Sequence, residues 1–253
     1  MAARLKKVKS ILVSQPAPTN KNNPYADLAK KHKLKIDFRP FIHIEGADTK
    51  EFRLQKIDLK NIQGVIFTSR VAVNHFFRVC REVRFDVPSS MMYFCVSEAI
   101  AYYLQNHITY RKRKIFVGSG SVVSLISLMN KHKDASYLLP SSDVLKPSIP
   151  EALHSGSFNF TRAILYKTVC SNLSDLENVY YDVLVFFSPS GIKSLFENFP
   201  DFNQNETRIA AFGATTCKAA IDAGLNINIK APEKNTPSMT MALENYIKIS
   251  NKR

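Results

Sequence analysis

The sequence predicts an α/β fold built from parallel sheets. Short apolar runs alternate with stretches that carry apolar residues at helical spacing along almost the whole chain, and this alternation is typical of βαβ units. Two of these units also resemble each other. An apolar run leads to Ser69 in the first and to Ser188 in the second, and apolar residues at helical spacing follow both serines. We therefore expect two related α/β domains within the 253 residues.

The N-terminal part predicts two strands and a helix before an extended segment. Pro16 and Pro18 end the first strand, because proline cannot donate a hydrogen bond to a neighbouring strand. Pro40 excludes a helix from the segment that follows the second strand. The predicted elements are a strand at 10–15, a helix at 25–33, a strand at 34–38 and an extended segment at 39–44.

The middle of the chain predicts strands that are each followed by a helix. Val73, Phe76 and Phe77 lie on one face of the stretch after Ser69, which is the spacing of an amphipathic helix. We expect a first helix at 49–55, then strands at 65–68, 92–96, 114–117 and 136–139, and helices at 71–81, 98–105, 122–131 and 149–153.

The last third predicts an extended segment at 163–169 and further strand–helix pairs. Its strands are expected at 183–187, 208–212 and 226–229, and its helices at 192–199, 215–223 and 237–247. The N-terminal strands alone are too few for a domain, whereas the C-terminal strands would complete a sheet of about five. We therefore predict a discontinuous domain, residues 1–38 with 170–253, and an inserted domain, residues 45–162, joined by linker strands at 39–44 and 163–169. A ligand cleft is expected where two such domains meet.

Composition excludes several classes of protein. A hydrophobic content of 45% with 22% charged residues excludes wholesale disorder. No stretch reaches the roughly 20 apolar residues of a membrane helix, and the apolar run after the basic N-terminus is too short for a signal peptide. The four cysteines form no CxxC pair, so we expect reduced thiols in a cytoplasmic protein.

The net charge of +14 favours an acidic partner. Charge alone leaves nucleic acid, an anionic surface and a polyanionic small molecule open, and many surface lysines serve solubility only. No metal is expected, because the six histidines form no ligand pair. The stretch Gly118-Ser119-Gly120 lacks the rest of a dinucleotide-binding motif, so no sequence signal of a nucleotide cofactor is present.

Residues that can bind an anion fall at the predicted starts of helices. A helix start leaves backbone N–H groups free, and a hydroxyl there can cap the helix or bind an acidic ligand. Because the carboxyl ends of parallel strands share one edge, we expect these positions to converge. Taken singly, the stretch 213–216 and Thr236 are better explained by plain capping of a structural helix, and only the convergence of all these positions favours a binding site. The positions are Ser69, Ser188, Gly213-Ala214-Thr215-Thr216 and Thr236.

Tyr166 lies in the second extended segment. A tyrosine hydroxyl in a cleft can donate a proton to a leaving group, although a strand tyrosine commonly packs against its neighbours instead. Basic residues at the crossings and strand ends can bind carboxylates or simply be solvated. They are Arg39, Arg70, Lys146, Arg162 and Lys167.

Six stretches of the chain, taken in their order and spacing, resemble one protein family. They are Val65–Ser69 with Ala72 and Val73, Leu138–Pro140 with Ile149–Leu153, Ile164–Thr168, Phe186–Gly191, Ala211–Thr216 and Thr236-Pro237. Each is modest alone, but together they resemble the uroporphyrinogen-III synthase family over residues 11–247. The resemblance implies two three-layer, flavodoxin-like α/β domains that are joined by a two-stranded linker, with the second domain inserted in the first.

The resemblance also implies an activity. Members of this family cyclise the linear tetrapyrrole hydroxymethylbilane to uroporphyrinogen III, with loss of water and inversion of ring D, and they need no metal or organic cofactor. It implies a cytoplasmic monomer that acts on this small molecule and makes a transient contact with hydroxymethylbilane synthase, with no nucleic acid or membrane as partner. The acetate and propionate groups of the substrate suit a cleft lined by helix starts and basic residues.

The resemblance assigns roles to the residues singled out above. Tyr166 matches the linker tyrosine of the family and is the catalytic candidate, which assists the departure of hydroxide. Contacts with the substrate carboxylates, through side chain or backbone, are assigned to a larger set. Its members are Ser69, Arg70, Lys167, Ser188, Ser190, Gly213, Thr215, Thr216 and Thr236.

Gln15 and Ser142-Asp143 depart from the family pattern, and so does one longer stretch. Ser97-Glu98-Ala99-Ile100-Ala101 stands where the family often has Gly-x-x-Thr-Ala. The Ile100 side chain cannot donate a hydrogen bond, and Glu98 adds negative charge near an anionic ligand. These changes favour an alternative, a non-catalytic relative that binds a tetrapyrrole or another polyanion. A nucleic-acid-binding module, based on charge alone, is the third hypothesis.

Overall fold

Parallel strand pairs make up most of both sheets of the protein, as the sequence predicts. The computed structural model describes residues 6–19, 23–109 and 112–252. Within them β1 pairs with β2 and β9, β10 with β9 and β11, β4 with β5 and β7, β5 with β6, and β7 with β8, all in parallel. The exception is β3, which runs antiparallel to β8, since the Ala47 N–H donates to the Leu165 carbonyl and the Ser171 N–H to the Phe41 carbonyl. The chain divides into two compact units, Met1–His43 with Val169–Arg253, and Ile44–Thr168. The α/β class with parallel sheets is confirmed, while the two-stranded linker stays a prediction.

Strands and helices alternate along the chain. The strands are β1 (Ser10–Val13), β2 (Lys35–Phe38), β3 (Ile42–Gly46), β4 (Gly64–Phe67), β5 (Met92–Cys95), β6 (Ile115–Val117), β7 (Ser136–Ser142), β8 (Asn159–Cys170), β9 (Val183–Phe186), β10 (Arg208–Phe212) and β11 (Ile227–Ala231). The helices are α1 (Pro24–His32), α2 (Thr49–Leu54), α3 (Arg70–Glu82), α4 (Glu98–Leu104), α5 (Val123–Met129), α6 (Ser148–Ser155), α7 (Pro189–Asn198), α8 (Ala214–Asp222) and α9 (Met239–Ser250). Short 3-10 turns lie at Leu59–Asn61, Lys112–Lys114, Asn130–His132 and Ser174–Leu176.

The first unit has three layers around a five-stranded sheet in the order β11-β10-β9-β1-β2. Alternate residues along a strand point to opposite faces of a sheet, and here both faces are apolar. Leu12 and Leu184 belong to a core with residues of α7 and α8. Val13 and Val185 belong to a second core with residues of α1 and α9. Helices on both faces explain the uninterrupted apolar runs of these strands.

The six-stranded sheet has the order β3-β8-β7-β4-β5-β6. Every residue of the central strand β4 is buried, as expected for a strand that is covered on both faces. Val73, Phe76 and Phe77 of α3 pack into the core of this unit. The amphipathic face that the sequence predicts after Ser69 is thus the buried face of α3.

Two helix starts repeat the same geometry, as the two similar stretches predict. Ser69 is extended (φ −157°, ψ 160°) before α3, and its Oγ accepts a hydrogen bond from the Ala72 N–H at 3.0 Å. Ser188 is extended (φ −151°, ψ 153°) before α7, and its Oγ accepts the Gly191 N–H at 3.2 Å. An N-cap of this kind stabilises a protein by about 1 kcal/mol. Each serine therefore fixes the residue at which its helix begins.

Some elements are longer than predicted. α7 begins at Pro189 rather than at 192, because proline suits the first turn of a helix, where its missing N–H has no partner to lose. β7 and β8 extend beyond 136–139 and 163–169 because they pair with each other from Ser136 to Ser142. The apolar runs of the sequence do not predict the length of this pairing, because it depends on a partner strand that is distant in the sequence.

The start of α9 is a correction to the prediction. The sequence predicts a helix at 237–247 capped by Thr236, but α9 begins at Met239. Ser238 caps it, because its Oγ accepts the Met241 N–H at 3.3 Å. Thr236 instead belongs to a tight turn, in which it exchanges two backbone hydrogen bonds of 3.0 Å with Glu233. Because the turn already uses the backbone of Thr236, the helix begins later, where the Ser238 hydroxyl is available as a cap.

Within the described residues, no helix is long and apolar enough to cross a membrane. The same residues hold no group of three or more His, Cys, Asp or Glu side chains arranged to bind a metal ion. The four cysteines are free thiols. Burial raises the pKa of Cys80 and of Cys95 to about 12, so these two thiols stay protonated at neutral pH.

Candidate active site

The second unit has an open cleft at the carboxyl ends of its parallel strands. Its volume is about 430 Å³. Residues at or after the ends of β4, β5, β6 and β7 line it, together with a tyrosine of β8. Ligands of open α/β sheets bind at this edge. The polar lining includes Ser69, Ser121, Ser141, Ser142, Lys146 and Tyr166.

Tyr166 presents its phenol group to this cleft. The residue is 8% exposed, and its Oη lies 3.4 Å from the Oγ of Ser69. Its ring stacks on the His75 ring, with centroids 5.0 Å apart and an interplanar angle of 23°. Burial raises the pKa of Tyr166 above its ordinary value, and the hydrogen bond with Ser69 offsets part of that shift. The phenol therefore keeps its proton at neutral pH and can act as a proton donor.

Ser69 has two roles at this cleft. Its Oγ accepts the Ala72 N–H and thereby begins α3. Its hydroxyl proton is left for Tyr166 or for a ligand, since a serine hydroxyl is both a donor and an acceptor. The local chemistry that starts the helix thus places a hydrogen-bond donor beside the phenol.

An irregularity in β8 sets the direction of the Tyr166 side chain. β7 and β8 pair residue for residue as far as Ser141 and Ile164, and then the register shifts so that Ser142 lies opposite Tyr166. Leu165 is therefore the extra residue of a β-bulge. Bulges re-aim side chains and are frequent next to active sites.

Arg70 and Lys167, both predicted to bind substrate, have protein neighbours of their own. Arg70 is exposed in the first turn of α3, and its guanidinium lies 5.5 Å from the ring centroid of Tyr103. Lys167 follows Tyr166 in β8, so neighbouring side chains leave the strand on opposite faces. The Lys167 ammonium pairs with Glu51, and this hydrogen bond is the main reason that the pKa of Lys167 is raised. A carboxylate contact from either residue stays a prediction.

Arg162 is part of the scaffold of the cleft. Its guanidinium donates to Ser141 Oγ at 2.9 Å and to the carbonyl oxygens of Ser142 and Asp143 at 2.8 Å and 2.7 Å. These bonds hold the end of β7 in place. Lys146, in contrast, lines the cleft and gives it a positive charge.

Sequence reasoning missed the serines that line the cleft besides Ser69. These serines, which form part of its walls, are Ser121, Ser141, Ser142 and Ser148. The signal that could have found Ser121 is its place after Gly118-Ser119-Gly120, a loop that lacks a dinucleotide motif but still follows a parallel strand. Gly120 has a φ of +105°, a conformation that glycine adopts without strain.

In the first unit, the predicted residues stand after β9, β10 and β11. Gly213 has φ +86° and ψ 150°, a conformation that strains any residue with a side chain. No side chain of the described residues caps α8, which begins after Gly213. The first N–H groups of this helix are therefore open to an acceptor. Thr215 is exposed, whereas Thr216 is 1% exposed, so the predicted contact between Thr216 and substrate has no support from exposure.

The other predicted residues of the first unit occupy different positions. Ser190 is half-buried in the first turn of α7, directly before Gly191, whose N–H donates to the Ser188 side chain. Thr236 is 8% exposed in the turn after β11. The structure thus brings Ser69 and Tyr166 into contact in the second unit, and it places the remaining hydroxyls at strand ends of the first. Their contact with substrate stays a prediction.

The stretch that departs from the family pattern forms the start of α4. Ile100 is 7% exposed and packs into the core of the second unit. Glu98 is exposed, and the Ser97 side chain makes no capping hydrogen bond. Ile100 therefore serves packing, and Glu98 is the residue that brings negative charge to this helix start.

Comparisons with known proteins agree with one another. A family model described as uroporphyrinogen-III synthase HemD matches residues 23–241. A curated relative, the uroporphyrinogen-III synthase of Saccharomyces cerevisiae, is 26% identical over 151 residues, which are 51% of this chain and 54% of the yeast protein. That match therefore spans about half the length of the curated relative.

Solved structures share the fold. Uroporphyrinogen-III synthetase from Helicobacter pylori 26695 has a TM-score of 0.61 at 18% identity, over 95% of this chain and 99% of that one. A mutant uroporphyrinogen III synthase from Thermus thermophilus has a TM-score of 0.55 at 16% identity, over 97% of this chain and 100% of that one. At such identities the likeness concerns the fold alone. The family model, however, covers most of the chain, and the protein therefore belongs to the uroporphyrinogen-III synthase family.

Proposed function

We propose that this protein closes hydroxymethylbilane to uroporphyrinogen III, with loss of water and inversion of ring D. The observation that carries the proposal is the protonated phenol of Tyr166, 3.4 Å from the Oγ of Ser69, in a cleft at the ligand-binding edge of a parallel sheet. Membership of the uroporphyrinogen-III synthase family supports it independently.

The first step needs an acid. The hydroxyl on the ring A methylene leaves as water when the Tyr166 phenol gives it a proton, and electrons from the ring A pyrrole form an azafulvene cation. The resulting phenolate is stabilised by that cation and by the Ser69 hydroxyl, which donates to it. Burial keeps the phenol protonated until this step, because a low-dielectric environment disfavours the charged form.

The later steps need correct positioning of the substrate. Ring D attacks the cationic methylene through its substituted carbon, which forms a spiro intermediate. The bond between ring D and the methylene that joins it to ring C then breaks, which restores the ring D pyrrole and leaves an azafulvene cation on ring C. The free α-carbon of ring D attacks this methylene, so that ring D is now turned around. The proton that ring D finally loses can return to the Tyr166 phenolate. Holding the ends of a flexible chain in a reactive geometry lowers the barrier by several kcal/mol, of the order of 7–11 in the best cases.

The carboxylates of the substrate supply the binding energy in this proposal. Each ring carries an acetate and a propionate group, which suit hydroxyls, free backbone N–H groups and cations. Ser69 and Lys146 offer such groups in the cleft of the second unit. The other predicted contacts are Arg70, Lys167, Ser188, Ser190, Gly213, Thr215, Thr216 and Thr236. The enzyme would act as a cytoplasmic monomer without metal or organic cofactor, and would receive its unstable substrate through transient contact with hydroxymethylbilane synthase.

A product analysis tests the activity directly. Hydroxymethylbilane is generated fresh, incubated with the protein, and the oxidised products are separated into type I and type III uroporphyrin. We expect type III to dominate, because the uncatalysed closure gives type I without inversion. Formation of type I alone, at the rate of a blank, would exclude the catalytic function.

A second function, binding without catalysis, is favoured by one observation. Glu98 is exposed at the start of α4, and Ile100 beside it is a core residue without a side-chain donor. A relative that binds a tetrapyrrole or another polyanion without catalysis would tolerate the negative charge of Glu98 and the missing side-chain donor at position 100. Such a protein would bind uroporphyrin in a fluorescence titration and leave the isomer ratio of the blank unchanged.

A further inference from the structure

Arg78 of α3 connects the backbone and the ring that surround Tyr166. Its side chain is 26% exposed. Its Nη2 donates to the carbonyl oxygens of Ala47 at 2.8 Å and of Leu165 at 3.1 Å, and its Nε donates to Nδ1 of His75 at 3.2 Å. A planar guanidinium with a fixed fork of donors can make all these bonds at once, which a lysine cannot.

The Leu165 carbonyl is the backbone group that matters most for Tyr166. Leu165 is the bulged residue of β8, and its carbonyl directly precedes the Tyr166 amide. The Ala47 N–H also donates to this carbonyl, at 3.0 Å. Two donors therefore hold the peptide at which the direction of the Tyr166 side chain is set.

His75 supports the phenol ring from its face. Because Nδ1 accepts from Arg78, the proton of the neutral ring lies on Nε2. Burial, and then the charge of Arg78, lower the pKa of His75, so the ring is uncharged at neutral pH. The imidazole stacks on Tyr166 with centroids 5.0 Å apart, and its own orientation is fixed by the bond to Arg78.

Gly46 leaves room for the Arg78 guanidinium, because it has no side chain. A Cβ at Gly46 would lie 2.8 Å from Nη2 of Arg78, which is closer than real Cβ contacts allow. Glu82 anchors the far side of the guanidinium, because Nη1 of Arg78 donates to both of its carboxylate oxygens at 2.8 Å. The Arg78 side chain is thus held from several directions.

We propose that Arg78 and His75 are positioning residues for the catalytic phenol: Arg78 fixes the bulge of β8 that aims Tyr166 into the cleft, and His75 holds its ring. The kinetic consequence rests on the proposed function, whereas the positioning itself does not. Neither residue needs to touch the substrate.

The kinetic test compares two arginines of the same helix. Arg78→Met keeps an unbranched apolar stem and removes the donors, and Arg81→Met is the matched control, since Arg81 is exposed one turn further along α3. We expect Arg78→Met to lower kcat for type III formation by about tenfold or more, because small displacements of a reacting group are costly. We expect KM to stay within about twofold, because ground-state binding is unchanged. Arg78→Lys should restore little of the lost kcat.

A spectroscopic test reads the phenol without any turnover. The protein is labelled with fluorotyrosine, and the Tyr166 signal in the fluorine NMR spectrum is identified by its absence in Tyr166→Phe. Arg78→Met should shift or broaden that signal, and Arg81→Met should leave it unchanged. Because this measurement needs no substrate, a shifted signal supports the positioning even if the wild type forms no type III product.

His75→Leu keeps the test decisive if Arg78→Met fails to fold. His75 is only half-buried, so its replacement spares the core while it removes the stacked ring. It should shift the same fluorine signal and lower kcat with little change in KM. An unchanged Tyr166 signal in both variants, or a kcat equal to that of Arg81→Met, would overturn the proposal.

Discussion

Tyr166 is nearly buried and yet faces a cleft, a combination that suits a residue which must give up a proton and take it back. Burial alone would make the phenol inert, because the phenolate would lack solvation. Ser69 changes this balance, since its hydroxyl lies 3.4 Å from the phenol oxygen and can stabilise either form. Tyr166 is thus a weak acid, and the Ser69 hydroxyl stabilises the phenolate that forms when it loses its proton.

Removal of the Tyr166 hydroxyl should slow the reaction and spare the fold. Tyr166→Phe keeps the ring that stacks on His75, so its thermal unfolding midpoint should stay close to that of the wild type. Its kcat for type III formation should fall by about 100-fold, the lower end of what a general acid contributes. Tyr102→Phe, at a tyrosine that is 76% exposed, is the control. An unchanged rate would remove Tyr166 from the mechanism.

Replacement of Gly213 should weaken both the fold and the binding of substrate. An L-residue at φ +86° and ψ 150° is strained, so Gly213→Ala should lower the free energy of unfolding in urea by about 1–3 kcal/mol. It should also raise KM, if the open N–H groups of α8 bind a carboxylate. A KM equal to that of the wild type, in a destabilised variant, would restrict Gly213 to a structural role.

Among the elements, α1 and α9 are joined by a cluster of charges around Glu244. Lys31 donates to its carboxylate at 2.7 Å, Lys248 lies 3.1 Å away and His32 lies 3.5 Å away. The hydrogen bond from Lys31, and then that from Lys248, lower the pKa of Glu244 from 4.5 to about 2. The ionised carboxylate is therefore favoured by folding.

The pH dependence of stability should reveal this cluster. The pKa of Glu244 is lower in the folded protein than in the unfolded chain, so its contribution is present above about pH 4.5 and is lost as the pH falls towards about 2. Glu244→Gln should lower the free energy of unfolding at neutral pH by about 1 kcal/mol or less, as exposed ion pairs do. The difference from the wild type should shrink steadily below about pH 4.5. A difference that is constant with pH would contradict this interpretation, and Glu177→Gln, at an exposed residue, serves as the control.

The elements also show what the sequence can predict. Ser69 and Ser188 predict their helix starts because an N-cap depends on the few residues around it. Thr236 misleads for the same reason, since Ser238 offers an equivalent cap close by and a turn engages Thr236 first. The bulge at Leu165 cannot be read locally, because it arises from pairing between distant strands. The family resemblance singles out Tyr166 and Ser69 as separate site residues, but their contact and the support of Tyr166 by Arg78 depend on the folded structure.

On the scale of the whole molecule, the net charge of +14 suits the proposed substrate, which carries two carboxylates on every ring. Such a field raises the local concentration of an anionic ligand and is screened by salt. Both units carry a net positive charge, so this attraction does not depend on any single residue. Association should therefore depend on ionic strength more than the chemical step does.

A salt titration separates these two effects. Raising the ionic strength from about 0.05 M to about 0.5 M should increase KM for hydroxymethylbilane several-fold, because the Debye length then shortens to less than half. The kcat should change by less than about twofold, since the reacting groups are shielded in the cleft. A flat KM would show that the charge serves solubility only. Strong, salt-dependent binding of random duplex DNA would instead favour the nucleic-acid hypothesis.

The position of β1 has a consequence for how the protein is made. β1 lies between β2 and β9 in its sheet, and Ile11 pairs with Val183. The complete second unit therefore leaves the ribosome before β9 does, so β1 and β2 are at that stage without β9, which pairs with β1. We expect residues 44–168 to fold first during translation, and the early strands to depend until then on chaperones or on their own low tendency to aggregate.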